Sequence, residues 1–492
     1  MTLGTSRSSP VLSEVLAAAG DQWSLADHAF SRAAGAPLIL GNQVHLLRDA
    51  EENYPAWLEA IASAEREIHF ESYIIRDDAA GRQFADALTA KARDGVTVRL
   101  LYDWMGALGK TSRRFWTALR KAGVEVRCFN PLRPSSPLGW VHRDHRKSLV
   151  VDGRIGFVTG LCVGDAWVGD PARGVAPWRD TGVELRGPAV GEIARAFLRV
   201  WEVAGPPAPA TSMLPGDPPP AGDFAVRIVA SEPNTAGLLR VDQLVAAAAR
   251  ERLWLTDAYF AGLPTYVQGL RAAALDGVDV RLLVPGGTDI PILRPLSRAG
   301  YRPLLQAGVR VFEWNGPMLH AKTAVADGRW ARVGSSNLNV ASWLGNYELD
   351  VIIEDTRFGA EMERQYLDDL SGATEVILSE RRWRRRLRPE ASSDRPAAQD
   401  RGRRARGTGS AGRAMAGAVR LGNTVTAAVT DHRVLASGDT SILAIAGVLL
   451  VGLAVAAVLW PPVLAWPLAI LLAWLGTALV GRAWRLRHRR AP

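Results

Sequence analysis

The sequence predicts an α/β fold made of two pseudo-symmetric α-β-α halves, followed by a C-terminal transmembrane helical hairpin. Three observations support this prediction. Short β-branched runs alternate with amphipathic helical stretches, and this alternation is typical of α/β proteins. The alternation occurs twice, in segments that match each other. Near the C-terminus, 41 consecutive residues from Ser441 to Gly481 carry no charge.

The internal duplication is visible as three pairs of matching stretches. They are "IHFESYII" (68–75) with "LWLTDAYF" (253–260), "DGVTVRLL" (94–101) with "DGVDVRLL" (276–283), and "AGVEVRCF" (122–129) with "AGVRVFEW" (307–314). We expect each copy to form a strand, a helix, a strand, a helix and a third strand. The two copies are therefore two domains or two halves of one domain.

Composition divides the chain further. A segment with seven prolines separates the two copies and is expected to be a stiff surface linker. The predicted regions are an N-terminal segment 1–40, a first repeat 41–204, a Pro-rich linker 205–222, a second repeat 223–380, a basic disordered tether 381–436, two transmembrane helices 437–482 and a basic cytoplasmic tail 483–492.

The uncharged run is long enough for two membrane-spanning helices of about 20 residues each. Pro461, Pro462 and Pro467 divide it, and Trp460 and Trp466 at the division are suited to a membrane interface. A buried soluble hairpin is the alternative. Arginines flank the run on both sides, so the positive-inside rule places both ends, and the globular part of the chain, on the cytoplasmic face of the membrane.

The net charge of +9 is unevenly distributed. Residues 381–410 contribute +8 and the last stretch, RAWRLRHRR, contributes +5, so the remainder carries −4. A mildly acidic globular part offers no electrostatic footprint for nucleic acid. The basic tether suits an anionic leaflet, although a solvated linker is the alternative.

With only Cys128 and Cys162, no disulfide framework is expected, and the N-terminus is not expected to be a secretory signal.

Each half contains the pattern H-x-K-x4-D. Only five of the 59 basic residues are lysines, yet two of them lie in this pattern. Even one copy is expected by chance on the order of 0.01 times in such a chain, so two copies are a signal. The residues concerned are His145, Lys147 and Asp152 in "DHRKSLVVDG", and His320, Lys322 and Asp327 in "MLHAKTAVADGRWARVGSSN".

On a strand, the His and Lys of H-x-K point to the same side, whereas Arg146 or Ala321 between them points away. A neutral imidazole is a competent nucleophile and a lysine can neutralise phosphate oxygens, so the pair suits phosphoryl chemistry. The sequence shows no ligand spacing for a metal, and we expect neither metal nor cofactor. Each Asp precedes Gly, which predicts a hairpin turn, so a structural and a chemical role for the two aspartates remain about equally open.

These motifs resemble those of the phospholipase D superfamily, and in particular the bacterial cardiolipin synthases of the short form without N-terminal membrane helices. The resemblance covers roughly residues 30–375. It is carried by "GNQVHLL" (41–47), "HRDHRKSLVVDGRIGFVTG" (142–160), "WRDTGVELRGPAV" (178–190), "LHAKTAVADGRWARVGSSNLN" (319–339) and "NYELDVIIED" (346–355). The resemblance implies a covalent phosphohistidine intermediate and transfer of a phosphatidyl group to an alcohol.

The same resemblance implies roles for individual residues. His145 would be the nucleophile and His320 the general acid and then base, although by symmetry the order could be reversed. Both lysines, Ser335 and Asn337 would hold the phosphate, and the motif aspartates would be mainly structural. In the family a carboxylate 28 to 35 residues after each histidine accepts its other ring N–H, and the carboxylates at these distances are Asp180 and Glu348.

One departure from the family pattern is the stretch "TGLC", which places Cys162 where an asparagine is expected. An amide donor to the phosphate is then missing from the first half, and losing such a donor can cost about 3 kcal/mol of transition-state stabilisation. We expect activity to survive, because both His-Lys pairs and both carboxylates remain. The second motif also departs from the family, since "NLNVAS" replaces a stretch that often contains Asp and Arg.

Four functions remain open on the sequence alone. The first is a membrane enzyme that joins a phosphatidyl group to phosphatidylglycerol. The second is hydrolysis of phospholipid to phosphatidic acid, which needs only a wetter pocket. A nuclease would use the same chemistry but is opposed by the acidic globular part. A membrane scaffold with an inactive site is the fourth. The oligomeric state is not indicated by the sequence.

Overall fold

A computed structural model describes residues 28–131, 141–209, 218–290 and 293–378, and eight helical residues between positions 466 and 477. The basic tether, the C-terminal tail, nearly all of the predicted hairpin, and parts of the N-terminal segment and Pro-rich linker lie outside the described residues. No helix within these ranges has the length and apolar character needed to cross a bilayer. The hairpin therefore stays a prediction.

The chain separates into two compact units. The first is Met1–Pro131 with His142–Glu375, and the second is Leu132–Val141 with Val376–Pro492. The first unit contains both copies of the repeat and both His-Lys motifs. The elements described below belong to this unit, except Val376, the last residue of the last strand, which is assigned to the second unit.

The first half alternates strands and helices as the sequence predicts, with one additional strand and helix before the repeat. Its described strands are β1 Ile39–Arg48, β2 Glu67–Ser72, β3 Thr97–Asp103, β4 Glu125–Phe129, β5 Lys147–Val151, β6 Ile155–Thr159 and β7 Thr181–Arg186. Its helices are α1 Asp49–Ala62, α2 Ala79–Arg93, α3 Trp104–Ala107, α4 Arg113–Lys121, α5 Asp165–Val168 and α6 Ala189–Ala204.

The second half repeats this order. Its described strands are β8 Phe224–Ser231, β9 Arg252–Thr256, β10 Asp279–Pro285, β11 Arg310–Trp314, β12 Thr323–Ala326, β13 Trp330–Gly334, β14 Glu348–Glu354 and β15 Ala373–Val376. Its helices are α7 Gly237–Ala248, α8 Pro264–Leu275, α9 Leu293–Gln306 and α10 Thr356–Ser371, with a short π-helix at Ala341–Gly345.

All the described strands belong to one sheet in the order β15-β11-β10-β9-β12-β13-β14-β8-β1-β7-β6-β5-β2-β3-β4. Read outward from the centre, the first half runs β1-β7-β6-β5-β2-β3-β4 and the second runs β8-β14-β13-β12-β9-β10-β11. The two orders correspond strand for strand. The halves meet where β1 pairs antiparallel with β8, with Ile39 opposite Val226. The duplication therefore produces one continuous sheet with an approximate two-fold axis at its centre.

Helices cover both faces of the sheet, which confirms the α/β prediction. On one face of the first half, Trp57 of α1 and Phe84 of α2 pack against Phe70 of β2. On the other face, α6 is buried along most of its length, and its side chains share a core with strands of the second half, including Val333 and Val351. This shared core fixes the two halves against each other, and the functional site lies where they meet.

Candidate active site

The two His-Lys motifs occupy equivalent positions in the sheet, each at one end of the parallel strands of its half. Strands β2, β3 and β4 run parallel, as do β9, β10 and β11, and β5 and β12 run antiparallel to them. Lys147 lies opposite Ser72, the last residue of β2, and Thr323 lies opposite Thr256, the last residue of β9. Each motif is therefore at the carboxyl end of the parallel strands of its half.

The motifs differ in one respect from the sequence prediction, which placed them within strands. The structure begins β5 at Lys147 and β12 at Thr323, so both histidines lie in extended backbone just before the strand. Successive side chains of the motif nevertheless point to opposite sides, as predicted. Arg146 is fully buried away from the histidine and donates to the carbonyls of Glu348, Ala196 and Ser231.

These pre-strand segments pair with the opposite half rather than with their own. The N–H of His145 donates to the carbonyl of Tyr347 at 2.9 Å, and the N–H of His320 donates to the carbonyl of Arg179 at 2.7 Å. Tyr347 immediately precedes Glu348, and Arg179 immediately precedes Asp180. The main chain thus brings each histidine beside a carboxylate of the other half.

The two histidine–carboxylate pairs are consequently crossed. His145 Nδ1 lies 3.0 Å from Glu348 Oε2, and His320 Nδ1 lies 2.7 Å from Asp180 Oδ2. The expectation that each carboxylate serves the histidine preceding it in the same half is wrong, because the pairing is exchanged. A carboxylate on Nδ1 fixes the tautomer and leaves Nε2 as the reactive nitrogen. Both halves are therefore needed to prepare either imidazole.

Glu348 is held by several donors. Ser335 Oγ donates to its Oε2 at 2.5 Å and Asn346 Nδ2 donates to its Oε1 at 3.1 Å. The Ser335 hydroxyl also accepts the N–H of Leu349 at 2.9 Å. The Ser335 hydroxyl therefore helps to hold Glu348, and its role in binding the phosphate stays a prediction.

Asp180 is held differently. Trp167 Nε1 donates to its Oδ2 at 3.0 Å, and the N–H of Thr181 donates to its Oδ1 at 2.9 Å. Gly160, the counterpart of Ser335, leaves room for the carboxylate, since a Cβ there would lie 2.1 Å from Asp180 Oδ1. The sequence analysis missed Trp167 and Asn346, although the stretches "WVGD" (167–170) and "WLGN" (343–346) match each other and could have indicated both positions.

The motif lysines are both buried in the site. Lys147 is 1% exposed and Lys322 is fully buried, and each ammonium donates to the carbonyl of the histidine in its own motif. Burial lowers the pKa of Lys322 to about 8. The negative charge of Asp180 opposes this shift, and the positive charge of Lys147 adds to it. The two ammonium groups are thus close enough to repel, which leaves a site that favours an anion.

Both imidazoles are held neutral by their surroundings. Burial, reinforced by the lysine charges, lowers the pKa of His145 and lowers that of His320 to about 4. Burial alone would raise the pKa values of Glu348 and Asp180, but the neighbouring His and Lys side chains outweigh it and hold both below their usual values. Neutral imidazoles beside ionised carboxylates have available lone pairs on Nε2.

Aromatic rings surround the imidazoles. The ring of Tyr73 lies 4.9 Å from that of His145. The rings of Trp167, Trp178 and Tyr259 lie 5.6, 5.8 and 6.0 Å from that of His320. These rings pack against the imidazoles and limit their rotation.

Asn337 and Cys162 occupy equivalent positions, each 17 residues after a motif histidine. Asn337 is 4% exposed and its amide oxygen has no hydrogen-bond partner among the described residues. A half-turn of the amide would present its NH2 instead, so this side chain can donate to an anion. Cys162 is 1% exposed and offers only a weak S–H donor, so the two halves contribute unequally to the site.

Asp152 and Asp327 lie away from the imidazoles, at the far ends of β5 and β12. Each forms a tight turn with the following glycine, with φ of 52° and 67° at Asp152-Gly153 and 50° and 60° at Asp327-Gly328. Positive φ at both central residues is the signature of a type I′ hairpin. The carboxylate of Asp152 accepts three main-chain N–H groups of residues 65–67, and that of Asp327 accepts three of residues 250–252. The structure therefore supports the structural role for both and gives neither a place in the chemistry.

We expect Asp327→Ala to lower stability by about 2 to 4 kcal/mol, because three main-chain donors lose a charged acceptor and the turn loses a residue that tolerates positive φ. Thermal unfolding of the purified full chain, followed by near-ultraviolet circular dichroism, measures the change. Asp276→Ala is the matched control, since Asp276 also precedes glycine but is exposed. Full stability with lost activity would instead indicate a chemical role for Asp327.

Comparison with known proteins identifies a matching family model and similar relatives. The family model "Cardiolipin synthase, PLD-like domain" matches residues 57–163 and 244–370. The chain is 34% identical over 348 residues to a cardiolipin synthase of Alkalihalophilus pseudofirmus, covering 70% of this chain and 69% of that protein. It is 35% identical over 388 residues to cardiolipin synthase A of Pseudomonas fluorescens, covering 77% of this chain and 79% of that protein.

The fold is also similar to a solved structure. The crystal structure of a phosphatidylserine synthase of Haemophilus influenzae superposes with a TM-score of 0.56, covering 71% of this chain and 91% of that one. The sequence identity in this superposition is 14%, so the similarity supports the fold alone. Among the described residues, no group of three or more His, Cys, Asp or Glu side chains is placed to hold a metal ion.

Proposed function

The chain belongs to the cardiolipin synthases of the phospholipase D-like family, and we propose that it transfers a phosphatidyl group to phosphatidylglycerol through a phosphohistidine intermediate. Membership of this family makes it a phosphatidyltransferase or phosphodiesterase. The observation that carries the more specific proposal is the crossed arrangement of the two histidine–carboxylate pairs around one lysine-lined site.

In the first step, Nε2 of His145 attacks phosphorus of the donor lipid and the bond from phosphorus to the headgroup oxygen breaks. His320 gives a proton to the departing alkoxide, which leaves as an alcohol. In the second step, neutral His320 takes the proton from the hydroxyl of an acceptor phosphatidylglycerol, whose oxygen attacks the phosphohistidine. The new phosphodiester leaves and His145 returns to its neutral form. We assign the nucleophile to His145 from the family resemblance.

The low pKa of His320 is compatible with its role as an acid. The lysine charges contribute to that low pKa, and a bound phosphodiester would place a negative charge among them. An adjacent negative charge favours the imidazolium, so substrate binding itself supplies the condition under which His320 holds a proton. Lys147, Lys322 and Asn337 would stabilise the charge on the phosphoryl oxygens.

Transfer to a lipid alcohol, rather than to water, is supported by the aromatic shell around His320. Trp167, Trp178 and Tyr259 place aromatic rings within 6.0 Å of that imidazole, and apolar surface beside the site favours a lipid alcohol over water. The predicted hairpin and basic tether would hold the site at the cytoplasmic face of the cell membrane, where both lipid substrates are present.

Expression of the full chain in a bacterial host that lacks its own cardiolipin synthases tests this proposal. We expect cardiolipin to appear in the lipid extract, and a variant with both His145→Ala and His320→Ala to produce none. An extract that gains only phosphatidic acid would indicate hydrolysis. An unchanged extract, together with DNA cleavage by the purified protein, would indicate a nuclease.

The pKa of Lys322 predicts an alkaline limit to activity. Because burial lowers this pKa from 10.5 to about 8, the charged form is present below pH 8 and is lost as the pH rises above it. We therefore expect kcat/KM to fall above about pH 8. Lys322→Arg should be less active, because a guanidinium is wider, but its profile should stay flat to higher pH. A wild-type profile that is flat up to pH 10 would contradict this assignment.

A further inference from the structure

Two segments that lie near the motif histidines, 104–114 and 168–178, contain exposed residues, and we call them the rim. The first segment begins with the short helix α3. Gly106 of this helix lies so close to the backbone of Tyr73 that a Cβ would be 1.9 Å from the Tyr73 carbonyl oxygen. The Tyr73 ring contacts His145, and Asp103, which caps α3, accepts the N–H of Asp144 at 2.9 Å, so the start of α3 lies beside the first motif.

This first rim segment combines an exposed apolar side chain with cations. Leu108 is 48% exposed. Arg113 and Arg114 are exposed at the start of α4, and neither forms an ion pair with any residue that the structure describes. The positive end of the helix dipole disfavours cations in a first turn, so these two arginines do not serve the stability of α4. Their position suits contact with an external anion.

The second rim segment lies beside the second motif. Trp178, whose ring contacts His320, ends a stretch in which residues 171–177 are all exposed. Val168 and Val175 in this segment are 47% and 48% exposed. The segment is joined to the body of the protein next to His320, because the N–H of Trp178 donates to the carbonyl of Ala166 at 3.1 Å. Half-exposed apolar side chains are therefore present in both rim segments.

We propose that the rim is the surface by which the site rests on an anionic lipid bilayer, with Leu108, Val168 and Val175 entering the interface and Arg113 and Arg114 contacting lipid phosphates. The inference rests on the proposed function. A lipid with two acyl chains is costly to remove from a bilayer, so a site that acts on its headgroup must be brought to the surface. Arginines near an anionic leaflet are attracted to it.

Two exposed residues at the amino ends of the parallel strands serve as matched controls. Leu275 is 70% exposed at the end of α8, just before β10, and Arg93 is exposed at the end of α2, just before β3. Both positions are at the amino ends of the parallel strands, whereas the site is at the carboxyl ends. The control residues are exposed like the rim residues, but they lie at the amino ends of the parallel strands, away from the site.

The experiment compares two substrates on the same preparation of full chain, reconstituted in phosphatidylcholine vesicles that also contain phosphatidylserine. One substrate is long-chain phosphatidylglycerol in the bilayer, and the other is dihexanoyl phosphatidylglycerol added in solution below its micelle concentration. We expect Leu108→Asp, and separately the pair Arg113→Glu with Arg114→Glu, to lower activity on the bilayer substrate about tenfold. Activity on the soluble substrate should change less than about twofold, because the imidazoles are untouched.

Leu275→Asp and Arg93→Glu should leave both activities unchanged. If the rim variants retain full activity on the bilayer substrate, or lose both activities equally, the proposed surface is wrong. The loss caused by the two arginine substitutions should also shrink when phosphatidylserine is omitted, and a loss independent of lipid charge would overturn their assignment to lipid phosphates. Failure of the proposed function gives a different result, because the unaltered chain would then transfer no phosphatidyl group with either substrate.

Discussion

His320→Asn is expected to trap the phosphohistidine when the donor is a phosphatidyl ester of p-nitrophenol. This leaving group departs as a stable anion and needs no proton, so the first step no longer requires His320. The second step still does, because the acceptor hydroxyl must lose its proton. We therefore expect a rapid burst of about one equivalent of p-nitrophenolate, followed by turnover slower by about 10²- to 10⁴-fold.

His145→Asn is the matched variant, and its expected result is different. Without the nucleophile no covalent intermediate forms, so no burst should appear, and turnover should fall by about 10⁴-fold or more. Mass spectrometry of the acid-sensitive adduct in His320→Asn should place the phosphatidyl group on His145. A burst in His145→Asn and none in His320→Asn would reverse the assignment of nucleophile and acid, which the pseudo-symmetry of the halves allows.

The parts of this protein that could be predicted from sequence are those that depend on local pattern. Residues two apart on extended backbone share a face, and Asp-Gly between apolar runs forms a tight turn, so the H-x-K pair and the hairpins at Asp152 and Asp327 were predictable. The repeated order of strands and helices followed from the matching segments. That order was enough to predict the α/β class, because each half alone determines it.

The parts that could not be predicted depend on how the halves are joined. Asp180 follows His145 in the sequence and Glu348 follows His320, so spacing alone suggests pairing within each half. The structure exchanges the partners because the segments before His145 and His320 hydrogen-bond to the opposite half. Trp167 was also missed. Its role depends on a hydrogen bond to Asp180, which the match between "WVGD" (167–170) and "WLGN" (343–346) does not reveal.

The crossed pairs imply that a histidine can be impaired by a substitution in the other half. We expect Glu348→Gln to slow the p-nitrophenolate burst, because Glu348 holds the nucleophile His145. An amide can present its NH2 to Nδ1 and stabilise the wrong tautomer. In the Ser-His-Asp triad used as a general template, the corresponding Asp-to-Asn change lowers kcat by about 10⁴-fold, so a loss of about 10²- to 10⁴-fold is expected here.

Asp180→Asn should behave differently, because Asp180 holds His320 rather than His145. With the activated ester the burst should persist at nearly its normal rate, while subsequent turnover falls by about 10²- to 10⁴-fold, since only the step that needs His320 as a base is impaired. Pairing within each half would produce the opposite result, with the burst lost in Asp180→Asn and kept in Glu348→Gln. The two variants are similar in chemistry and burial, so the difference between their burst phases reports which histidine each carboxylate serves.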